Sequence, residues 1–274
     1  MNYRSQIKTF AKQRLSSQYG TTLGACILAA LPQFALTFIY LILLFVFILV
    51  AAFSEPAAII MLFVMVFAYP IVTVGSYLLM PFSAIGVPAF MLSAVRGVRE
   101  KAIYPYTSCK NYGKKLGGLL WMMLFIHLWS LPFQVTYFIS VFSLGISNIV
   151  FTIGIIISIL LLIPFIVKSL SYSFHPYILN DCPNLTVRQA LNLSKKMTQG
   201  IKGELFVFDL SFIGWWLLTA LTCSILAIYT VPYYQMAKAA LYESMKTAAL
   251  ASGKISQADL DPTLVCGYEN NSEN

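Results

Sequence analysis

The sequence predicts an all-α protein, a polytopic bundle of transmembrane helices. Of the 274 residues, 59% are hydrophobic and only 10% are charged, whereas an average soluble domain carries about 25% charged residues. This excludes an ordinary soluble domain, a disordered chain and a coiled coil, and it argues against nucleic-acid binding despite the net charge of +8. Four uncharged stretches each exceed the roughly 20 residues that a helix needs to cross the hydrocarbon core. They lie between Arg14 and Glu55, Glu55 and Arg96, Lys115 and Lys168, and Asp209 and Lys238.

The uncharged stretches are expected to be helices because a membrane-spanning backbone must satisfy its own hydrogen bonds. Strands of an outer-membrane barrel alternate apolar and polar residues in segments of about ten, and the run LILLFVFILV at 41–50 does not alternate. The N-terminus is basic and then apolar, as in a signal peptide. Its apolar run, 21–53, is much longer than the about 7–15 residues of a signal sequence. It is therefore predicted to be an uncleaved first span that is either kinked at Pro32 or tilted in the membrane.

The next spans follow from the remaining uncharged stretches. The second is predicted at 57–80, and it continues into a broken segment, Pro81–Val95, that contains prolines and a glycine. The third and fourth are predicted at 116–140 and 148–172, and the glycine-containing sequence 144–148 between them indicates a turn.

The last hydrophobic region, 204–245, is compatible with one span and a tail helix, or with a hairpin of two spans. Cytoplasmic loops carry the excess of lysine and arginine, and two spans, 204–222 and 224–245, place Lys238 and the lysines after it on the same side as the other basic segments. The prediction is therefore six spans in a single membrane domain, 1–246. Both termini are expected in the cytoplasm, and the polar residues 247–274 are expected to form a disordered tail.

Basic segments precede the first, third and fifth spans, at 11–24, 108–118 and 194–204, and this weak repeat predicts three tandem helical hairpins. Two cytoplasmic segments are predicted to be amphipathic helices, the second opened by a capping box at Thr186 and Gln189. Such helices are expected to contact an anionic inner leaflet. Alternatively, their basic residues only set the orientation of the spans and keep the loops solvated. The predicted membrane-surface contacts are Arg4, Lys8, Lys12, Arg188, Lys195 and Lys202.

The third hairpin carries a resemblance to a known family. It reads Leu191-x-x-Ser194-x-x-Met197-x-x-Gly200, and then LSFIGW at 210–215, followed by Pro232-Tyr233 and Tyr242. This pattern resembles the bacterial integral membrane family known as domain of unknown function nine-seven-five. The resemblance implies a six-span protein of the bacterial inner membrane without an assigned reaction. More loosely, the architecture is similar to the membrane domain of some glycerophosphodiester phosphodiesterases. Neither resemblance brings catalytic residues with it.

The residues themselves indicate no catalytic, cofactor-binding or metal site. His127 is expected to hydrogen-bond a neighbouring helix, with a metal ligand or a proton relay as the alternative. His175 is expected to begin a loop in which Asp181 is a turn residue. The five cysteines are too scattered for a disulfide framework or a zinc site. Asp209 and Lys238 lie level in a hairpin of the last two spans. They are predicted to form an intramembrane ion pair or, alternatively, to reach water separately.

Three functions remain open from the sequence. The first is a non-enzymatic accessory or assembly protein that associates with lipids and with a membrane-protein partner or a second copy of itself. The second is a small permease or exporter of an amphipathic or anionic substrate, suggested by the helix breaks at Pro81–Pro88 and Pro232. The third is a membrane enzyme that acts on lipid. Polar residues from several spans that meet at a cavity favour the second, and a dry interior favours the first.

Overall fold

The computed structural model describes residues 3–53, 55–143 and 147–261, and within these ranges every regular element is helical. Residues 144–146 of the predicted turn and residues 262–274 of the predicted tail lie outside the described residues. A π-helical segment, Phe82–Gly86, joins the third helix to the fourth. The α-helices are, in chain order, α1 (Tyr3–Ser17), α2 (Tyr19–Phe53), α3 (Glu55–Pro81), α4 (Val87–Val95), α5 (Tyr104–Thr107), α6 (Tyr112–Phe142), α7 (Asn148–Ser171), α8 (His175–Asp181), α9 (Val187–Thr198), α10 (Lys202–Leu210), α11 (Ile213–Leu221), α12 (Ala227–Ala251) and α13 (Gln257–Leu260).

Five helical stretches of the described chain are long and apolar enough to cross a membrane, namely Tyr19–Phe53, Ile59–Val95, Tyr112–Phe142, Asn148–Asp181 and Lys202–Leu221. At most 22% of the most apolar window of each is buried inside the protein. Large apolar side chains such as Phe53 and Leu221 are 88% and 79% exposed. A soluble protein does not leave such a surface uncovered, so the chain is a multi-pass membrane protein. The predicted sixth span, 224–245, overlaps α12 from Ala227 onwards, and α12 is not one of these five stretches.

The chain divides into two compact units, and the first consists of Met1–Leu116 and Ile225–Ala240. In it α2 packs along α3, and the Gln33 side-chain amide donates to the backbone carbonyl of Ser76 over 3.2 Å. The helix α1 packs on α2 and α4. Its apolar stripe of Ile7, Ala11 and Leu15 is buried within the protein.

Tyrosines of the first unit compensate for two prolines inside helices. Proline removes the hydrogen bond to the carbonyl four residues earlier. For Pro32 that carbonyl is Leu28, which accepts from the Tyr106 hydroxyl over 2.6 Å. For Pro232 it is Ile228, which accepts from the Tyr19 hydroxyl over 3.1 Å. Both α2 and α12 continue past these prolines, so the helix break predicted at Pro232 is not present. The carbonyl that each proline leaves without an N–H partner is paired within the protein, as a backbone in lipid requires.

The second unit consists of Gly117–Ser224 and Leu241–Asn274. Here α6 and α7 are antiparallel neighbours, because the Ser158 hydroxyl donates to the Thr136 hydroxyl over 3.1 Å and Gly154 lies against Ser140. The predicted capping box is confirmed: the hydroxyl of Thr186 accepts from the Gln189 backbone N–H, and the Gln189 side chain accepts from the Thr186 N–H. It opens α9, which packs on α7 and α8.

The predicted fifth span is not one continuous helix. It is broken between α10 and α11, where Ser211 donates its hydroxyl to the Phe208 carbonyl and the Phe212 N–H bonds the Asp209 carbonyl three residues back. A serine that bonds the backbone locally competes with the helical hydrogen bonds, and the chain makes a tighter turn at this point.

The predicted disordered tail differs from the structure where the structure describes it. Residues 247–251 continue α12, and α13 follows at Gln257–Leu260 with its own capping box of Ser256 and Asp259. Ile255 and Leu260 are buried. The segment was predicted to be disordered because its overall composition is polar. Ile255 and Leu260 nevertheless pack against the rest of the protein.

Candidate functional site

Three aromatic rings lie on one face of α6, and each has a cation within cation–π distance. The rings of Trp121, Phe125 and Trp129 recur every four residues, the spacing of one helical face. The Arg188 guanidinium lies 5.4 Å from the ring of Trp121, the Lys195 ammonium 5.8 Å from Phe125, and the Lys168 ammonium 4.4 Å from Trp129. We call these six residues the basic–aromatic patch. At such distances a cation is attracted to the face of an aromatic ring.

The register of α6 and α7 gives the depth of this patch along the hairpin. With Thr136 beside Ser158, Trp129 lies level with residue 165 and Trp121 with residue 173. The patch is therefore level with the last turns of α7, which ends at Ser171. With 24 residues α7 is about 36 Å long, more than the about 30 Å of hydrocarbon. Tryptophan and basic side chains are enriched at this boundary between hydrocarbon and water.

The patch includes two of the predicted membrane-surface residues on α9. Arg188 is exposed and Lys195 is half-buried, its ammonium also 5.5 Å from the ring of Tyr172. Lys202 is half-buried at the start of α10. Lys168 and the three rings of α6 were not among the predicted membrane-surface contacts. The spacing of Trp121, Phe125 and Trp129 was the available signal.

The predicted contacts on α1 differ in their exposure. Lys12 is exposed, whereas Arg4 and Lys8 are half-buried, and burial lowers the pKa of the Lys8 ammonium from its ordinary value. The apolar stripe of this helix packs against the protein and is not available to lipid. Contact with a membrane surface through α1 therefore rests on its exposed side chains, among them Phe10 and Tyr3.

A buried polar cluster near the end of α8 went unrecognised in the sequence. The Lys246 ammonium lies 2.6 Å from Oδ2 of Asp181, whose side chain is only 7% exposed. The Tyr242 hydroxyl donates to the same oxygen over 3.1 Å, and its ring stacks on Tyr177 with the centroids 5.1 Å apart. Asp181 is therefore not a loop residue. It joins α8 to the end of α12 within the second unit.

Both histidines differ from their predicted environments. His175 begins a helix rather than a loop, is completely buried, and its Nε2 lies 3.1 Å from the Gly118 carbonyl. Gly118 leaves the space for this packing, because an added Cβ would come within 2.6 Å of Leu179. His127 is exposed, and its Nδ1 lies 2.9 Å from the Met123 carbonyl of its own helix. The prediction of a bond to a neighbouring helix is not what the structure shows.

The predicted ion pair stays a prediction. Asp209 is half-buried in the second unit. Lys238 is 8% exposed in the first, with its ammonium 5.8 Å from the ring of Tyr234.

In the described ranges, no group of three or more His, Cys, Asp and Glu side chains could hold a metal ion. Cys26, Cys109, Cys182 and Cys223 are free thiols, and Cys266 lies outside the described residues. Burial raises the pKa of the Cys109 thiol, and nearby Lys115 opposes that shift. A raised pKa disfavours the reactive thiolate.

A cleft opens between α2 and α3 in the first unit, and we call it the polar cleft for its hydrogen-bonding side chains, although most of the surface that lines it is apolar. Its volume is about 310 Å³, and it is lined by Gln33, Tyr40, Tyr69, Thr73, Ser76 and Tyr77 together with two apolar residues. Hydrogen-bonding side chains of two apolar helices thus meet at one place.

The fold and these sites together define a multi-pass helical membrane protein that carries the basic–aromatic patch and the polar cleft. The chain belongs to the family described as Protein of unknown function (DUF975), whose model matches residues 1–249. No match is found among curated proteins or among solved structures. The likeness to glycerophosphodiester phosphodiesterases stays a prediction.

Proposed function

We propose that the chain is a non-enzymatic accessory protein of the bacterial inner membrane that holds anionic lipids at its cytoplasmic surface. The observation that carries the proposal is the basic–aromatic patch, in which Lys168, Arg188 and Lys195 each lie over an aromatic ring. An accessory role implies a partner, either another membrane protein or a second copy of the chain. The transmembrane helices of this chain would keep that partner in position in the membrane.

The arrangement suits anionic lipid headgroups for two reasons. Each basic residue near the surface of an anionic leaflet contributes about 1 kcal/mol to membrane attraction. The rings of α6 hold these cations near the end of α7, where lipid phosphates are expected. An arginine in such a position binds phosphate through two parallel hydrogen bonds, and a lysine binds it as a point charge.

Removing the three cations tests this proposal. In the variant Lys168→Gln/Arg188→Gln/Lys195→Gln, we expect retention of phosphatidylglycerol over phosphatidylcholine by the purified full-length chain to fall at least about tenfold, since three such contributions exceed the about 1.4 kcal/mol of a tenfold change. The measurement is the composition of lipid co-purified from mixed micelles that contain both lipids in equal amounts.

The matched control removes the same charge elsewhere. Arg99, Lys101 and Lys110 are exposed in the first unit, and Arg99→Gln/Lys101→Gln/Lys110→Gln should lower the preference less than threefold if placement over the rings matters. If both variants lost the same amount of the preference for phosphatidylglycerol, the net charge alone would explain it. That result would overturn the assignment of lipid binding to the basic–aromatic patch.

We also propose six spans as three tandem hairpins, with α12 as the sixth and both termini in the cytoplasm. The support is the distribution of lysine and arginine, which favours the cytoplasmic side for 96–115, for 176–203 and for the residues after 245. A reporter active only in the cytoplasm should work within 101–112, within 183–198 and after Gly253, and should fail after Ser54. Activity that is lost at Gly253 would leave five spans.

A small permease or exporter of an amphipathic or anionic substrate is the second candidate. The observation that favours it is the polar cleft, since hydrogen-bonding groups of two spans meet there. A transporter would move its substrate across vesicles that contain only this protein, whereas an accessory protein would not.

A further inference from the structure

The polar cleft has a consistent chemical character. Its residues on α3 follow helical spacing, from Tyr69 through Thr73 to Tyr77, so that they share one face. Gln33 and Tyr40 of α2 lie opposite, seven residues apart. The rings of Tyr40 and Tyr69 are 6.1 Å apart with their planes tilted by 58°. Among the described residues that line the cleft, none is charged.

Two of the polar side chains that line the cleft, Gln33 and Thr73, are positioned by hydrogen bonds within the protein. The side-chain nitrogen of Gln33 donates to the Ser76 carbonyl over 3.2 Å, and its oxygen accepts from the Ser83 hydroxyl over 3.2 Å. The Thr73 hydroxyl donates to the Tyr69 carbonyl over 2.7 Å. Gln33 thus fixes α2 against α3. On α3, Tyr69 is 60% exposed and Tyr77 is 41% exposed.

The cleft lies far from the connection between α2 and α3. Tyr40 is thirteen residues before the end of α2 and Gln33 is twenty, about 20 and 30 Å at 1.5 Å per residue. A hydrocarbon core of about 30 Å therefore places the cleft in the half of the bilayer remote from that connection. Exposed apolar side chains such as Phe38 and Ile71 flank it along both helices.

We propose that this cleft binds the headgroup of a lipid that is uncharged and rich in hydroxyl groups, such as a sugar. Amide, hydroxyl and phenol groups pair with hydroxyls as both donors and acceptors, and such bonds are strong where water is scarce. A charged headgroup at this depth needs a partner of opposite charge, which the lining does not offer. The acyl chains lie along the exposed apolar flanks. This site is independent of the proposed contact with anionic lipids, because it lies in the first unit and is uncharged.

A lipid competition with the purified full-length chain tests the site. Four lipids with identical acyl chains are offered in equal amounts: a hexosyl diacylglycerol, diacylglycerol, phosphatidylglycerol and phosphatidylcholine. The lipid retained after gel filtration is then quantified. We expect the hexosyl lipid to be retained at least about fivefold over phosphatidylcholine and over diacylglycerol, the ratio that one hydrogen bond of ordinary net strength supplies.

Variants that remove only the phenol oxygens locate the binding. Tyr40→Phe/Tyr69→Phe should abolish the preference for the hexosyl lipid. Tyr137→Phe, which removes a half-exposed phenol from α6, should leave it unchanged. An unaltered gel-filtration profile for both shows that the fold is kept.

Equal retention of the hexosyl lipid and diacylglycerol would overturn the proposal, as would a double variant that behaves like Tyr137→Phe. A preference for phosphatidylglycerol alone would also overturn it. If that preference then disappears with Lys168→Gln/Arg188→Gln/Lys195→Gln, it belongs to the basic–aromatic patch, so the two proposals fail separately.

Discussion

Gly86→Ala is expected to lower the free energy of unfolding by about 3 kcal/mol, at the upper end of the usual cost of overpacking. A Cβ at Gly86 would lie 2.8 Å from Cα and 2.9 Å from the carbonyl carbon of Pro105, and it would lie closest to the carbonyl oxygen. All three are backbone atoms, so no side chain can rotate away. The strain is one of contact rather than conformation, because Gly86 has an ordinary helical φ of −64°.

The free energy is measured by SDS titration of the purified chain in mixed micelles. Gly113→Ala is the matched control, because nothing lies within 4 Å of a Cβ at that helical position. It should leave stability unchanged or raise it by a few tenths of a kcal/mol, since alanine favours helix over glycine. If Gly86→Ala matched the control, α5 would not pack against the π-helical segment as closely as described.

Local signals in the sequence identified much of this fold. Uncharged runs gave the spans, and for the fourth the predicted 148–172 differs by one residue from Asn148–Ser171. The capping box at Thr186 marked the start of α9. The prolines and glycine of Pro81–Val95 indicated the break that the structure resolves as a π-helical segment. In each case the cause acts within a few residues, through hydrophobicity, capping or a missing N–H.

The features that the sequence missed depend on residues far apart in the chain. Asp181 and Lys246 are 65 residues apart, and no local pattern couples them. Arg188 was singled out for its charge, but its partner Trp121 lies on α6, and only the packed second unit brings the two together. The break at Ser211 is local, yet its signal, one serine in an apolar run, also occurs in continuous spans such as α7. The length of the apolar run therefore predicted one continuous fifth span, and the single serine did not indicate the break.

The buried pair of Asp181 and Lys246 gives the second large effect. We expect Lys246→Met to lower the free energy of unfolding by about 3 kcal/mol, because it takes the cation from a carboxylate whose surroundings are largely closed to water. Asp181→Asn should cost a similar amount. The double variant should cost less than the sum of the two, since it removes both charges of the pair.

Lys196→Met is the matched control for this cycle. The Lys196 ammonium lies 2.8 Å from Oδ2 of Asp259, a distance close to that of the buried pair, but the side chains are 47% and 34% exposed. The hydrogen bond from Lys196 holds the pKa of Asp259 below its ordinary value, yet exposed pairs contribute about 0–1 kcal/mol to stability. SDS titration of both lysine variants therefore separates burial from distance.

Equal losses for Lys196→Met and Lys246→Met, or strictly additive losses for Asp181→Asn and Lys246→Met, would contradict the buried pair as a coupled unit. The same cycle of Asp209→Asn and Lys238→Met asks whether the predicted intramembrane pair exists, and additivity there would mean that the two residues do not meet. The larger coupling is expected at Asp181. Tyr242 donates a second hydrogen bond to the same oxygen, so Lys246 acts on a carboxylate whose position is already fixed, and less side-chain entropy opposes the pair.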